Sequence, residues 1–103
     1  MYGYMFDAGT DLDGTIGAKI QGEMHGHAMP GLLMHLTAAD PDGKITNIDV
    51  WESKEAFEAG FRDVIGPATA RAFPEWGAMT TSGPPQALTE FDVRYLSTTG
   101  EMG

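Results

Sequence analysis

Polar and apolar positions alternate over residues 44–51, and then the period changes. Thr46, Ile48 and Val50 share one parity, and Ile45, Asn47, Asp49 and Trp51 share the other. The pattern predicts a strand with one small, mostly apolar face. Its other face carries an amide, a carboxylate and an indole. Ser53 is a good helix N-cap, and Glu55 puts negative charge in the first turn. Phe57, Phe61, Val64, Ile65 and Ala68 then recur at helical spacing. Gly66-Pro67 predicts a break or kink, because Pro67 cannot donate to the helix ladder and disfavours helical geometry before it. A short continuation should reach about Ala72.

The same reading extends to both sides. Tyr2, Tyr4 and Phe6 alternate with Gly3 and Met5, which predicts a strand over 2–7 with an aromatic face. Leu12, Ile16, Ile20 and Met24 are spaced by four and predict a helix capped by Thr10 or Asp11. Gly14, Gly17 and Gly22 weaken it by about 1 kcal/mol each relative to Ala. Residues 25–31 form a loop that ends on Pro30-Gly31. Residues 32–38 are apolar except at His35 and Thr37, as in a buried strand. Asp40-Pro41-Asp42-Gly43 is a turn, so strands 32–38 and 44–51 should form an antiparallel hairpin. After a loop over 73–85, a last strand is expected over roughly 86–97, with Phe91, Val93 and Tyr95 on its apolar face. The tail, 98–103, is expected to be mobile.

The resulting order is β-α-β-β-α-β, an α+β, ferredoxin-like pattern with an antiparallel sheet and both helices on one face. The hairpin strands carry apolar residues on both parities, so the second face should also be covered. A homodimer packed sheet on sheet meets that need.

Composition narrows the function. The 103 residues suit one domain, and 42% hydrophobic with 20% charged residues suits a folded globular chain. A formal net charge of −9 argues against nucleic acid and anionic membrane as partners. With no cysteine, disulfides, thiolate metal sites and a cysteine nucleophile are excluded. No apolar run approaches the roughly 20 residues of a membrane span, and the first residues lack a signal core, so a cytoplasmic location is expected.

Several stretches resemble the antibiotic biosynthesis monooxygenase superfamily. They are GLLMH at 31–35, the Asp42-Gly43 turn, DVWESKEAFEAGF at 49–61, GPA at 66–68 and PPQALTEFDV at 84–93. The resemblance implies a dimeric α/β barrel. In the cofactor-free, quinone-forming oxygenases of that superfamily, an asparagine and a tryptophan lie on or near one strand. A tyrosine follows near the start of the next helix and an arginine toward its end. By position these fall on Asn47, Trp51, Phe57 and Arg71; Phe57 departs from the pattern and has no hydroxyl. Haem-degrading relatives carry a ligating histidine on the second helix, and residues 53–72 contain none. The resemblance therefore implies catalysis by Asn47, Trp51 and Arg71 with no cofactor.

The residues support a compatible chemistry. Trp51 offers a flat apolar surface and an N–H donor, Asn47 a donor for a developing oxyanion, and Arg71 a partner for a phenolate or carboxylate. Phe57, Phe61 and Asp49 are expected to line the substrate site. His35 is the best-placed neutral-pH base. His25, His27 and His35 invite a metal, but nothing fixes further ligands, and no metal is expected. The first expectation is oxygenation of a small planar aromatic or polyketide-type ligand in a helix–sheet cleft. The alternatives are proton-transfer isomerisation or cyclisation with His35 as base, and a non-catalytic ligand-binding or structural dimer.

Overall fold

The turn at residues 40–43 sets the register of the molecule. In the computed structural model, which describes residues 1–76 and 89–97, Asp40 donates its N–H to the carbonyl of Lys44 at 3.1 Å. Its carboxylate accepts from the N–H groups of Asp42 at 2.9 Å and Lys44 at 3.0 Å. Gly43 closes the turn at φ 79°, a conformation that side chains disfavour. This hairpin joins β2 (Leu32–Ala39) to β3 (Lys44–Trp51). It places His35 opposite Asp49 and Thr37 opposite Asn47.

β1 (Tyr2–Thr10) pairs with the other side of β3, and β4 (Thr89–Asp92) pairs with β1. The four-stranded antiparallel sheet runs β2-β3-β1-β4, the strand order of a ferredoxin-like fold. The expected α+β class and element order are therefore met.

Boundaries differ in four places. β1 runs on to Thr10 through a bulge between Asp7 and Gly9, which keeps it paired to Lys44. α1 (Thr15–Met24) starts later than expected, and Leu12 lies outside it, 77% exposed. Asp11 still caps the helix: its carboxylate accepts from Ile16 N–H at 3.2 Å and Gly17 N–H at 2.9 Å. A bulge at Leu33 puts Leu32 opposite Trp51, so Leu32 leaves the parity of Met34 and Leu36. β4 stops at Asp92, and Tyr95 beyond it is 82% exposed. The expected strand start at 86–88, the loop over 77–85 and the tail lie outside the described residues.

The second helical segment shows how Gly66-Pro67 is accommodated. Ser53 caps α2 (Lys54–Gly60), its Oγ accepting from Ala56 N–H at 3.1 Å. A π-helical turn (Phe61–Ile65) follows and leads into α3 (Gly66–Ala72). Gly66 N–H donates five residues back to Phe61, so the wider turn relieves the ring of Pro67 without ending the helix. A 3₁₀ turn (Pro74–Trp76) ends the segment.

The two faces of the sheet are now distinct. The helix face carries Tyr2, Tyr4 and Phe6 from β1, Asn47, Asp49 and Trp51 from β3, and His35 and Thr37 from β2. Tyr4, Trp51 and Phe57 form the buried centre there, with Tyr4 and Phe57 rings 4.5 Å apart. The outer face carries Met34, Leu36, Ile48, Val50, Met5 and Phe91. Leu36 is 47% exposed, and the Phe91 ring lies over the backbone of Gly3.

Candidate functional site

A carboxylate in an apolar setting must find donors or be expelled. Asp49 is mid-strand in β3 and is 4% exposed. Register gives it neighbours on both sides, His35 from β2 and Tyr4 from β1. One oxygen, Oδ1, lies 2.5 Å from Nδ1 of His35. The other, Oδ2, accepts from the indole N–H of Trp51 at 3.3 Å. Trp51 shares the strand parity of Asp49 and is wholly buried, so its N–H needs this acceptor.

The chain of contacts continues past the imidazole. Nε2 of His35 lies 3.0 Å from Oγ1 of Thr37, and that hydroxyl donates to Oδ1 of Asn47 at 2.8 Å. Five side chains on two strands thus form one line: Trp51, Asp49, His35, Thr37 and Asn47. Trp51 and Asp49 are buried at one end, whereas Thr37 is exposed and Asn47 half-buried at the other.

Electrostatics follow from this arrangement. The hydrogen bond to Asp49 raises the pKa of His35 above its ordinary value, the Asp49 charge adds to it, and partial burial opposes both. Burial pushes Tyr4 up to about 12, with the charges of Asp49 and Glu90 acting in the same direction. Burial also raises Tyr2, whose hydroxyl donates to Glu90 at 2.7 Å. An imidazole held by a carboxylate on one nitrogen can exchange a proton at the other. Here that other nitrogen meets the hydroxyl of Thr37, on the exposed side of the pair.

The expected site residues separate into three groups. Asn47, Trp51, His35 and Asp49 are brought together in the line. Phe57 and Phe61 are buried, at 4% and 8% exposed, and Phe57 packs on Trp51 with ring centroids 5.8 Å apart. Phe57 thus covers the wholly buried Trp51, which presents no exposed ring face. Arg71 is engaged elsewhere, donating to the Glu23 carboxylate at 3.1 Å and the Glu23 carbonyl at 3.0 Å. That contact fastens α3 to the last turn of α1. His25 and His27 are exposed in the loop after α1. Among the described residues no group of three or more His, Cys, Asp or Glu side chains is placed to hold one metal ion.

Thr37 is the functional candidate that sequence reasoning missed. Its signal was present: it shares the parity of His35, and the turn sets it opposite Asn47. A shallow surface depression of about 460 Å³ lies elsewhere, between Tyr2, Glu52, Glu90 and Asp92, and touches none of the five. No helix among the described residues is long and apolar enough to cross a membrane.

No protein-family profile matches the sequence, and no curated protein is significantly similar to it. A crystal structure is similar, that of a "putative Antibiotic biosynthesis monooxygenase" from Chloroflexus aurantiacus J-10-fl. The two share 21% identity over 96% of each chain, with a TM-score of 0.55. At that identity the likeness concerns the backbone alone. The chain shares with this neighbour a ferredoxin-like α+β fold.

Proposed function

We propose that the chain is a cytoplasmic, homodimeric enzyme of monooxygenase type. It would oxygenate a small planar aromatic or polyketide-type substrate without a cofactor. One observation carries this reading: Nδ1 of His35 and Oδ1 of Asp49 are 2.5 Å apart, with the opposite ring nitrogen 3.0 Å from the exposed Thr37 hydroxyl. In this reading Asp49 holds the ring and Nε2 takes a proton from an activated carbon or phenol. Trp51 holds Asp49 from behind. With its Oδ1 accepting from Thr37, Asn47 keeps its amide N–H groups as donors for the new oxyanion. The electron-rich anion then reacts with dioxygen. In balance, a methylene loses two hydrogens and gains one oxygen atom as a carbonyl, and the second oxygen atom leaves as water. Arg71 has no part in this step.

The ligand would lie on the uncovered part of the helix face, over the His35–Thr37–Asn47 row. The outer face, with Leu36 and Phe91 partly exposed, supports a second copy packed sheet on sheet. A monomer by light scattering overturns that part.

Oxygen uptake with an anthrone-type substrate tests the reaction. His35→Ala should lower it by about 10²- to 10⁴-fold. Turnover without oxygen consumption would move the chain to proton-transfer isomerisation or cyclisation, which needs the same base. Binding without turnover would leave a ligand-binding dimer, a reading favoured by how fully Trp51 and Phe57 fill the space under the helix.

A further inference from the structure

The Thr37 hydroxyl has one proton and two partners. Oγ1 lies 3.0 Å from Nε2 of His35 and 2.8 Å from Oδ1 of Asn47. One proton cannot serve both contacts. When the Asn47 amide presents its oxygen, the Thr37 proton points to Asn47. Nε2 must then donate to Oγ1, and the ring carries two protons, the second on Nδ1 toward Asp49. When the amide presents its nitrogen, an N–H of Asn47 donates to Oγ1. The Thr37 proton then points to a bare Nε2, and the ring is neutral.

We propose that Thr37 and Asn47 are positioning residues for the outer nitrogen of His35, with the orientation of the Asn47 amide locked to the number of protons on the ring. The proposal deepens the reading of His35 as base and rests on it for its use in turnover. In the neutral state the lone pair of Nε2 is engaged by Thr37. A ligand with an acidic C–H or O–H reaches it through the hydroxyl. Thr37 passes its proton to Nε2 and takes the ligand's proton, so one proton leaves the ligand and one arrives at the ring. The amide then turns its oxygen to Thr37, and the doubly protonated ring is held at both nitrogens. The ligand class is an enolisable carbonyl or a phenol.

Among the described residues, few other groups bear on the ring. From β3 it meets Asp49, the charge that acts on it. From β1 the phenol of Tyr4 faces Asp49 and stays neutral, raised to about 12. On α2, packed nearest to these strands, Lys54, Glu55 and Glu58 are exposed, and Lys54 is paired with Glu90 at 3.3 Å.

The test is an NMR titration of both ring nitrogens of His35 in the full, ligand-free chain. Thr37→Val removes the hydroxyl at similar shape; because the bond from the charged ring is stronger than the bond to the neutral ring, proton affinity should weaken by about three- to tenfold. Thr37→Ser should restore it. Asn47→Leu frees the Thr37 proton for Nε2 and should lower the midpoint. Asn47→Asp can only accept, and should raise it. That rise should shrink in the Thr37→Val background, which a bare charge effect would not do. The proposal is overturned if Thr37→Val leaves the titration unchanged, or if both Asn47 variants move it the same way. Should Thr37→Val fail to fold, the opposite signs at Asn47 decide alone. Because no turnover is read, failure of the oxygenase reading leaves this result standing, and failure here leaves His35 available as base.

Discussion

The helix-facing side of the sheet has two halves of opposite character. Under α2, Tyr4, Trp51 and Phe57 exclude water and fill their own space. Over β2 and the start of β3, Thr37 is exposed, Asn47 half-buried, and the His35 side chain 35% exposed. Asp49 stands at the boundary, facing an indole on one side and an imidazole on the other. The aromatic half is a packed support, and the polar half is the part of this face left open to solvent. A buried carboxylate with two donors can hold an imidazole in one orientation only if its own position is fixed. The aromatic half fixes it.

The largest test of that division is at Trp51. Trp51→Ala leaves a large void at a wholly buried position and strips one donor from Asp49. A loss of about 3–5 kcal/mol in chemical denaturation is expected. Trp51→Phe keeps most of the ring but leaves Oδ2 of Asp49 without its donor, at a cost of about 1–3 kcal/mol. If Trp51→Phe costs nothing, the indole is packing alone, and the two halves are not coupled through Asp49.

Gly60 probes the same half from the helix side. Its backbone is ordinary right-handed helix, at φ −62°, so no conformational demand requires glycine. A Cβ there would fall onto the Trp51 ring. Gly60→Ala gains about 1 kcal/mol of helix propensity but must displace that ring, with a typical overpacking cost of about 1–3 kcal/mol. A net loss of stability is expected, with altered tryptophan fluorescence. A net gain would mean that the aromatic half has slack.

A third test separates the halves by pH. The folded state holds the His35 proton more tightly than the unfolded chain, where histidine titrates near pH 6.5. This contribution to stability is full below about pH 6.5 and is lost as pH rises through the higher folded midpoint. Asp49→Asn removes the charge and one acceptor. The gap between wild type and Asp49→Asn in urea unfolding should therefore be wider at pH 6 than at pH 9. A gap that is constant with pH would mean that the pair does not hold the proton.

Much of this division was legible in the sequence. Parity alone put Asn47, Asp49 and Trp51 on one strand face, and the Asp40–Gly43 turn implied the hairpin that brings His35 to Asp49. Two things were not legible. The role of Trp51 depends on depth: a surface indole would stack on a ligand, but one with no exposure serves a neighbour instead. Burial is set by how α2 crosses the sheet, which periodicity does not encode. The π-helical turn was hidden for a related reason. Gly66-Pro67 signals a local conflict, and whether the helix ends or widens there depends on surroundings that periodicity does not encode; Phe61 and Val64 are buried in the turn that widens.

Arg71 is expected to give the smallest effect, and it is informative for that reason. The family resemblance implies a role at the reacting ligand, whereas the guanidinium is committed to Glu23. Both side chains are close to half exposed, at 46% and 41%. Exposed ion pairs contribute about 0.2–1 kcal/mol. The bond to the Glu23 carbonyl places positive charge by the C-terminal turn of α1, where it is favoured. Arg71→Ala should therefore cost about 0.5–1 kcal/mol, less at high salt, with faster amide exchange confined to the end of α1. Its effect on turnover should be no larger than its effect on stability. A loss of turnover well beyond that, with the fold intact, would mean that Arg71 leaves Glu23 for the ligand, and the polar half would then extend across to the helices.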